Sequence, residues 1–597
     1  MSERRDPIDI YTEGLEAAGV EEALWSGRSR LASNARLLCF LAILVIGWLV
    51  FGTRSLAAAW IALPGLGFLV LVVAHDRILQ REERASRMRR FYEEGIARLE
   101  NRWVGAGDAG DRYRDAIHPY TADLDVFGAG SLFELLATTR TATGSDRLAS
   151  WLSEPADAAT IRRRQAAVDE LRPRLDLRLR MALAGDESSS SLQQENLESW
   201  AAAPAAALPR AIFYLALSAT SLSLAGIGLW IFTTSGPVPF FAALAAQSLL
   251  AIAVRNRVRP VLAAAETPVQ SLARTASLLG CIESESFDAP LLVELSAELE
   301  TTGHPPSVEL ESLRRLVDRR DARANQFFAP IAALLMWGTH VALALENWRL
   351  RCGPRLPVWV EAAGEIEALC ALSSFAFENP EDPFPEIVEG DPVFEGRGLG
   401  HPLLARDRCV QNDLALGRRP QALVMSGSNM SGKSTMLRTV GCNTILALAG
   451  APVRAADLRL SPVRIAASIR IVDSLQEGQS HFMAEITRLR QVVEISRGTT
   501  PALFLLDEIL HGTNSHDRRI GAEAVIKGLV AHGALGIVTT HDLALTEIVP
   551  DSDGKLDNVH FEDHLEEGRM QFDYTLRRGI VEKSNALALM RSVGLDV

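Results

Sequence analysis

The chain contains a run of 44 residues, Ala211 to Val254, without a single formal charge. A polar break at 233–237, "TTSGP", divides this run into two apolar stretches, 212–232 and 238–254. A helix needs about 20 apolar residues to cross the hydrocarbon core of a bilayer. The run therefore predicts a transmembrane helical hairpin. The alternative is a pair of helices in a soluble core, which rarely needs so long an uncharged stretch.

A second hairpin is predicted nearer the start of the chain, at 37–53 and 55–74, where Arg54 alone separates two uncharged stretches. Arginines flank both hairpins where the chain enters and leaves them: Arg28, Arg30, Arg36, Arg77, Arg81, Arg84, Arg87, Arg89, Arg90, Arg210, Arg255, Arg257 and Arg259. Basic residues stay preferentially on the cytoplasmic side. We therefore expect a multi-pass protein of the cell (inner) membrane, with both hairpins entering from and returning to the cytoplasm.

A fifth apolar stretch, 327–345, contains His340 and has arginines on both sides. Basic flanks on both sides indicate that neither side is external. An odd number of crossings would also place the rest of the chain outside the cell. This stretch is therefore predicted to be a buried helix of the soluble core.

Composition places most of the chain outside the bilayer. Hydrophobic residues make up 48% and charged residues 23% of its 597 residues, which is ordinary for globular protein. A net charge of −13 argues against extensive coating of nucleic acid but leaves a local basic groove open. Six cysteines without a CxxC pair suit a reducing compartment and indicate no zinc or disulfide framework.

The segment "GSNMSGKS", Gly427 to Ser434, matches the phosphate-binding pattern G-x-x-x-x-G-K-[ST] and follows an apolar strand. Glycines let backbone N–H groups curl around phosphate, and the following helix presents its positive N-terminus. In this pattern Lys433 reaches the β- and γ-phosphates of ATP and Ser434 is a ligand of Mg²⁺. The predicted nucleotide-binding residues are Gly427, Ser428, Asn429, Met430, Ser431, Gly432, Lys433, Ser434 and Thr435.

Two further apolar strands end in polar residues. "ALFLLDE" ends in Asp507, a predicted Mg²⁺ ligand, and Glu508, a predicted general base that polarises the attacking water. "GIVTTHD" ends in His541, which is predicted to sense the γ-phosphate as a catalytic residue, although a histidine there can also be purely structural. Together these residues predict an ATP hydrolase.

A Gly-Gln-Ser turn at 478–480 precedes a helix with apolar residues at helical spacing, in the segment 473–493. Ser480 can simply cap this helix. It can also offer its hydroxyl to a phosphate, which would have to be bound by a second subunit, because the chain's own loop already surrounds its nucleotide.

These motifs resemble those of the MutS family of DNA mismatch-repair ATPases, which belong to the ABC-type ATPase class. "SGSNMSGKST" is similar to the family's TGPNMGGKST, with Ser428 and Ser431 in place of a proline and a glycine. "GQSHFMAEI", "LLDEILHGTNSHD" and "TTHDLALT" resemble its later motifs. A weaker resemblance, at 124–155 and 161–171, is to the start of its helical lever and core domain.

The resemblance implies an α/β P-loop domain of the ABC type at 396–597, after an all-α core and lever domain at 118–395 that the second hairpin interrupts. Residues 1–117 hold the first hairpin and a charged helix in place of the family's mismatch-reading domain. Ser480 would contact the γ-phosphate bound by a partner chain, which implies a homodimer with composite ATP sites.

Three functions are compatible with this sequence. The first is a membrane-anchored dimeric ATPase whose nucleotide cycle moves its lever domain, with DNA, mismatched or not, left open as the partner. The second is an ABC-type ATPase with a transport or other membrane role, although four apolar helices offer little polar lining for a pathway. The third is an anchored mismatch-repair enzyme.

Overall fold

The computed structural model describes residues 5–184, 199–201, 203–204, 208–264, 269–299, 303–322, 328–428, 430–470, 481–510, 514–566 and 569–581. The described part is helical up to residue 378, and its strands all follow that point. This matches the predicted order of a helical region before an α/β region.

The chain begins with a long helical hairpin, α1 (Pro7–Phe51) and α2 (Ala62–Leu99), joined through a 3-10 helix at Ala58–Ile61. Asp6 starts α1, because its carboxylate accepts the N–H of Ile8 at 3.2 Å. Each helix runs without interruption from an exposed apolar half, where the first hairpin was predicted, into a charged half.

A buried ion pair fixes the charged half of this hairpin to the helical body. The guanidinium of Arg98 makes a bidentate contact with the Glu378 carboxylate, with Nη2 2.7 Å from Oε1 and Nε 2.9 Å from Oε2. The hydroxyl of Tyr11 donates to the same carboxylate at 3.1 Å. Donors from both helices of the hairpin thus satisfy one buried acid. Removing Arg98 would leave its charge unpaired, and removing the Tyr11 hydroxyl would leave one of its oxygens with fewer hydrogen bonds.

The helical body surrounds one central helix, α14 (Leu356–Glu378), most of whose residues are buried. The other helices of the body are α3 (Leu132–Leu136), α4 (Ala142–Ser153), α5 (Ala158–Leu171), α6 (Leu175–Ala184), α9 (Val269–Glu283), α10 (Pro290–Leu299), α11 (Pro306–Ala322), α12 (Ala329–Leu334) and α13 (Trp337–Cys352). Side chains of Ser131, Thr141 and Asp157 cap α3, α4 and α5, so the sequence itself sets where these helices start.

The second hairpin consists of α7 (Arg210–Phe232) and α8 (Val238–Ala264), which enclose the predicted stretches. The helices come close at Gly226, where an added Cβ would lie 2.7 Å from the Cα of Phe240. The hydroxyl of Ser223 donates to Oε1 of Gln247 at 2.6 Å between the two helices. With α1 and α2, they make up the four helices among the described residues that are long and apolar enough to cross a membrane.

The fifth apolar stretch was predicted to form one buried helix, but the structure divides it into two helices. Met336, with φ of +46°, separates α12 from α13, and most of α12 is exposed. Nε2 of Gln247, on α8, donates to the carbonyl oxygens of Ala333 at 3.1 Å and Leu334 at 2.8 Å. The Ala333 carbonyl also accepts the N–H of Met336 at 3.2 Å. Carbonyls at a helix end lack the partners of a continuing helix, and the side chain of Gln247 supplies donors at the point where the stretch breaks. Residue 327 lies outside the described residues.

The C-terminal region contains two sheets. The smaller has the strand order β1 (Glu386–Ile387), β5 (Asp457–Leu460), β2 (Phe394–Leu399), β3 (Asn412–Leu416). The larger has the order β10 (Arg569–Arg578), β9 (Leu556–Glu566), β4 (Ala422–Ser426), β8 (Leu535–Thr540), β7 (Ala502–Asp507), β6 (Arg464–Ser468). Its strands are parallel except for β10 at the edge.

The helices of this region are α15 (Lys433–Ala449), α16 (His481–Ser496) and α17 (Ser515–Ala531). Buried apolar strands of this kind are typical of parallel sheets covered on both faces. Because β4, β8 and β7 are neighbours and parallel, the residues that follow them meet at one edge of the sheet. That edge holds the predicted site.

Candidate functional site

The loop between β4 and α15 makes a tight turn that contains residues with positive φ. Gly432 has φ of +104°, and an added Cβ would lie 3.1 Å from Cδ1 of Tyr574, so both conformation and space favour glycine. Met430 also has a positive φ, +72°, and its side chain is exposed. Thr435 lies exposed in the first turn of α15. Asn429 lies outside the described residues.

The side chain of Lys433 folds back over this loop. Its Nζ donates to the carbonyl oxygens of Gly427 at 2.8 Å and Ser428 at 2.9 Å. Burial lowers the pKa of this lysine, and the nearby Glu508 carboxylate, 3.6 Å away, opposes that effect. A buried ammonium held this way is a strong cation for an anion bound in the loop.

Three serine hydroxyls around the loop, those of Ser426, Ser428 and Ser431, are buried without a hydrogen-bond partner among the described residues. An unsatisfied buried hydroxyl costs free energy, so three around one loop need an explanation. Phosphate oxygens would accept hydrogen bonds from such hydroxyls. The loop therefore suits a phosphate group, and the two serines that replace the family's proline and glycine add donors to it.

The predicted metal ligands lie together. The hydroxyl of Ser434 donates to Oδ2 of Asp507 at 2.5 Å, and the hydroxyl of Thr539 donates to Oδ1 of the same carboxylate. Oxygen ligands from a hydroxyl and a carboxylate beside a phosphate site are those that Mg²⁺ uses. The residues present therefore fit Mg²⁺. Thr539, on β8, is a further residue of this group that the motifs did not identify. Its position one residue before the end of β8, close to His541 in sequence, was the signal that could have indicated it.

The predicted base and the predicted histidine also meet. Oε2 of Glu508 lies 3.3 Å from Nδ1 of His541. Glu508 has φ of +46°, and its N–H points at Thr539, 3.2 Å from the carbonyl oxygen and 3.1 Å from the hydroxyl. A non-glycine residue in this conformation is uncommon and is often held for a functional reason. Here the strained backbone aims the carboxylate toward both Lys433 and His541.

Glu485, on α16, is a buried acid that the sequence interpretation did not single out. One carboxylate oxygen accepts the N–H of Leu510, which has φ of +60°, and the other is buried without a partner among the described residues. Its place among the apolar residues of "HFMAEI" was the signal that could have indicated a buried acid. Through this contact α16 holds the loop that follows Glu508.

The helical region reaches the site through Asp123, which is almost fully buried. Its Oδ1 accepts the N–H groups of Ile469 at 2.8 Å and Arg470 at 2.7 Å, and its Oδ2 pairs with Nη2 of Arg488 at 2.6 Å. These residues border the segment 471–480, which contains Ser480 and lies outside the described residues. One carboxylate of the helical region thus contacts the residues that precede 471–480 and the helix α16 that follows it.

The comparisons with known proteins agree with these two regions. The family description "MutS domain V" matches residues 423–596, and "MutS domain III" matches residues 120–212. The first match covers the larger sheet with the site, and the second covers the start of the helical body, including Asp123.

Among curated proteins, the DNA mismatch repair protein MutS of an Exiguobacterium species is 37% identical over 227 residues, which is 37% of this chain and 26% of that protein. Endonuclease MutS2 of Thermus thermophilus is 33% identical over 295 residues, 47% of this chain and 38% of that protein. The DNA mismatch repair protein MutS of Brevibacillus brevis is 34% identical over 247 residues, 40% of this chain and 28% of that protein. The chain spans less than two fifths of the length of each of these relatives. Through the two regions that match, this chain belongs to the MutS family.

Proposed function

We propose that this chain is a membrane-anchored P-loop ATPase of the ABC type that hydrolyses ATP with Mg²⁺ as a homodimer. The observation that carries the proposal is the meeting of Lys433, Ser434, Asp507, Glu508 and His541, from three separate segments, at one edge of the parallel sheet. Their positions support the roles expected for them. All five lie within residues 423–596, which match MutS domain V, and this supports the same proposal.

The residues divide the chemistry among them. Lys433 and the N–H groups at the start of α15 would bind the phosphates. Ser434 and Asp507 would hold Mg²⁺, which neutralises phosphate charge when bound. Glu508 accepts a proton from the attacking water, and His541 holds the carboxylate and lies beside the γ-phosphate position.

The membrane anchor is supported by exposure as well as by composition. The apolar 18-residue windows of α1 and α2 are 0% buried, and those of α7 and α8 are only 22% and 17% buried. A soluble protein rarely exposes apolar surface of this extent. The arginines at the ends of the hairpins support an orientation with the ATP site in the cytoplasm.

Coupling between hydrolysis and the helical lever domain is supported by Asp123 and by the Arg98–Glu378 pair. Asp123 connects the start of the helical body to both sides of 471–480, where Ser480 would face a partner's nucleotide. Glu378 ends the helix that leads into the α/β region and is bound by the hairpin. DNA, mismatched or not, is proposed as the partner on which this movement acts, on the strength of the relatives' names.

Four measurements test this proposal. Alkaline carbonate should leave the full chain in the membrane, and an external thiol reagent should label Thr53→Cys and Ser235→Cys in a cysteine-free background but not Arg84→Cys, Arg257→Cys or His401→Cys. The purified chain should release phosphate from ATP only with Mg²⁺. Its binding to duplex DNA should weaken steeply as salt rises. Extraction by carbonate, external labelling at residue 401, or absence of phosphate release would each overturn the corresponding part.

A further inference from the structure

A cleft of about 910 Å³ lies beside the first hairpin, and a second cleft of about 790 Å³ lies beside the second hairpin. The second runs between α8 and the segment formed by α12 and the start of α13. Leu244, Ala251 and Ile252 line it on α8, and Ala329, Pro330 and Ala333 line it on the opposite wall. Its volume is that of a typical ligand site.

The two walls of this cleft are held at a fixed distance. Gln247 lies on the cleft and donates from Nε2 to the carbonyl oxygens of Ala333 and Leu334, while its Oε1 accepts from Ser223. In a bilayer, irregular backbone persists only where its polar groups are satisfied. The contact therefore stabilises the break after α12 and keeps the cleft open beside the hairpin.

One end of the cleft is basic. Arg255 and Arg259 line it at the cytoplasmic end of α8, whereas Arg257, between them, does not. Within the part of the chain that the structure describes, none of these three arginines forms an ion pair, and all three are exposed. Leu244 and Arg259 are separated by about 22 Å along the helix, from the rise of about 1.5 Å per residue. The cleft thus has an apolar length and a cationic end.

We propose that this cleft binds one anionic phospholipid, with an acyl chain against the apolar walls and the phosphate between Arg255 and Arg259. The inference rests on the membrane anchoring proposed above, which places the basic end at the level of the lipid headgroups. Basic pockets beside membrane helices on the cytoplasmic side recognise anionic headgroups. A zwitterionic lipid offers the same phosphate, but its cationic ammonium group would lie beside the two arginines and be repelled by them, and a purely apolar peptide offers them no anion.

The test is native mass spectrometry of the detergent-purified full chain titrated with phosphatidylglycerol or phosphatidylcholine. Wild type should bind about one phosphatidylglycerol per chain in preference to phosphatidylcholine. The double variant Arg255→Gln/Arg259→Gln should lose roughly tenfold in phosphatidylglycerol affinity, and the matched control Arg257→Gln should change it by less than about twofold. Ser248→Phe, which fills the cleft without changing charge, should weaken binding of both lipids. Among the described residues, the Ser248 hydroxyl bonds to the Leu244 carbonyl of its own helix and to no other group.

Equal binding of the two lipids, or equal loss with Arg257→Gln, would show diffuse charge attraction and overturn the proposal. The proposal would also be overturned if Ser248→Phe changed the oligomeric state of the protein and left lipid binding unchanged. That result would assign the cleft to a second copy of the chain. Each variant must keep wild-type ATP turnover, which confirms that it is folded. If carbonate extracts wild type, the anchoring fails; if wild type stays in the membrane but shows no lipid preference, only this inference fails.

Discussion

Oε2 of Glu508 lies 3.3 Å from Nδ1 of His541, although 33 residues separate the two in sequence. The other oxygen of the same carboxylate lies 3.6 Å from Nζ of Lys433. The carboxylate is therefore held at both ends, by a cation on the phosphate side and by an imidazole on the other. Such a group is placed to take a proton from water without moving far.

The Glu508→Gln variant should bind ATP but lose turnover by about 10²- to 10⁴-fold, because an amide cannot accept the proton. Steady-state phosphate release and equilibrium nucleotide binding measure the two effects separately. Glu523→Gln is the control, since Glu523 lies on α17 and pairs with Lys527 at 2.7 Å, outside the site. Wild-type turnover in Glu508→Gln would show that Glu508 is not the general base.

The Lys433→Ala variant should lose tight ATP binding, because the loop then has no buried cation for the β- and γ-phosphates and its 427 and 428 carbonyls lose their donor. Binding of a fluorescent ATP analogue measures this loss. Lys527→Ala removes an exposed lysine and should bind as wild type. Equal affinity in the Lys433→Ala variant would place the nucleotide elsewhere.

The Ser480→Ala variant distinguishes a helix-capping role of Ser480 from a role at a composite ATP site. If it only caps its helix, Ser480→Ala should cost about 1 kcal/mol of local stability and leave turnover intact. In a composite site, the same change should weaken ATP-dependent dimerisation and hydrolysis while single-chain nucleotide binding persists.

Mixing supplies the decisive measurement for Ser480. A heterodimer of one Lys433→Ala chain and one Ser480→Ala chain carries both lesions in one site and leaves the other site whole. We expect partial recovery of ATPase activity on mixing. Heterodimers that form without any recovery would speak against the composite site.

His401 makes the α/β region sensitive to acid. Burial lowers its pKa from the ordinary 6.5 to about 4, with the nearby Arg438 acting in the same direction. As pH falls below 6.5 the unfolded chain binds a proton before the folded chain does, so stability is lost between pH 6.5 and about 4. The loss from this group amounts to about 3 kcal/mol at most.

The His401→Asn variant retains an oxygen that can replace Nδ1 as acceptor for the N–H of Leu403, at 3.2 Å in the native chain, but does not titrate. Its unfolding temperature should therefore fall less steeply over this pH range than that of wild type. Identical slopes for the two proteins would show that other groups control the acid sensitivity.

The sequence predicted the parts of the site that lie in contiguous motifs. The loop from Gly427, the acids after β7 and the histidine after β8 each follow an apolar strand, and parallel strands bring their carboxyl ends together. The family resemblance is confirmed by the matches at 423–596 and 120–212.

Contacts between distant segments could not be predicted in the same way. Asp123 and Arg488 lie 365 residues apart, and Glu485 meets Leu510 only because α16 packs beside β7. The break at Met336 was also missed, because an apolar stretch carries no sign that Gln247, on another helix, would satisfy its freed carbonyls. These arrangements depend on tertiary packing, which a motif does not encode.

The length of the uninterrupted helix α1 sets the distance between the helical body and the proposed membrane surface. From Tyr11, which touches Glu378, to residue 37, where its apolar half starts, the rise of about 1.5 Å per residue gives about 39 Å. In the proposed orientation, the junction between the helical body and the α/β region then lies about that far below the headgroups. A partner held flat against the membrane would lie above the α/β region, whereas a duplex in the cytoplasm could meet it. The length of one helix therefore sets the depth at which the proposed site can act.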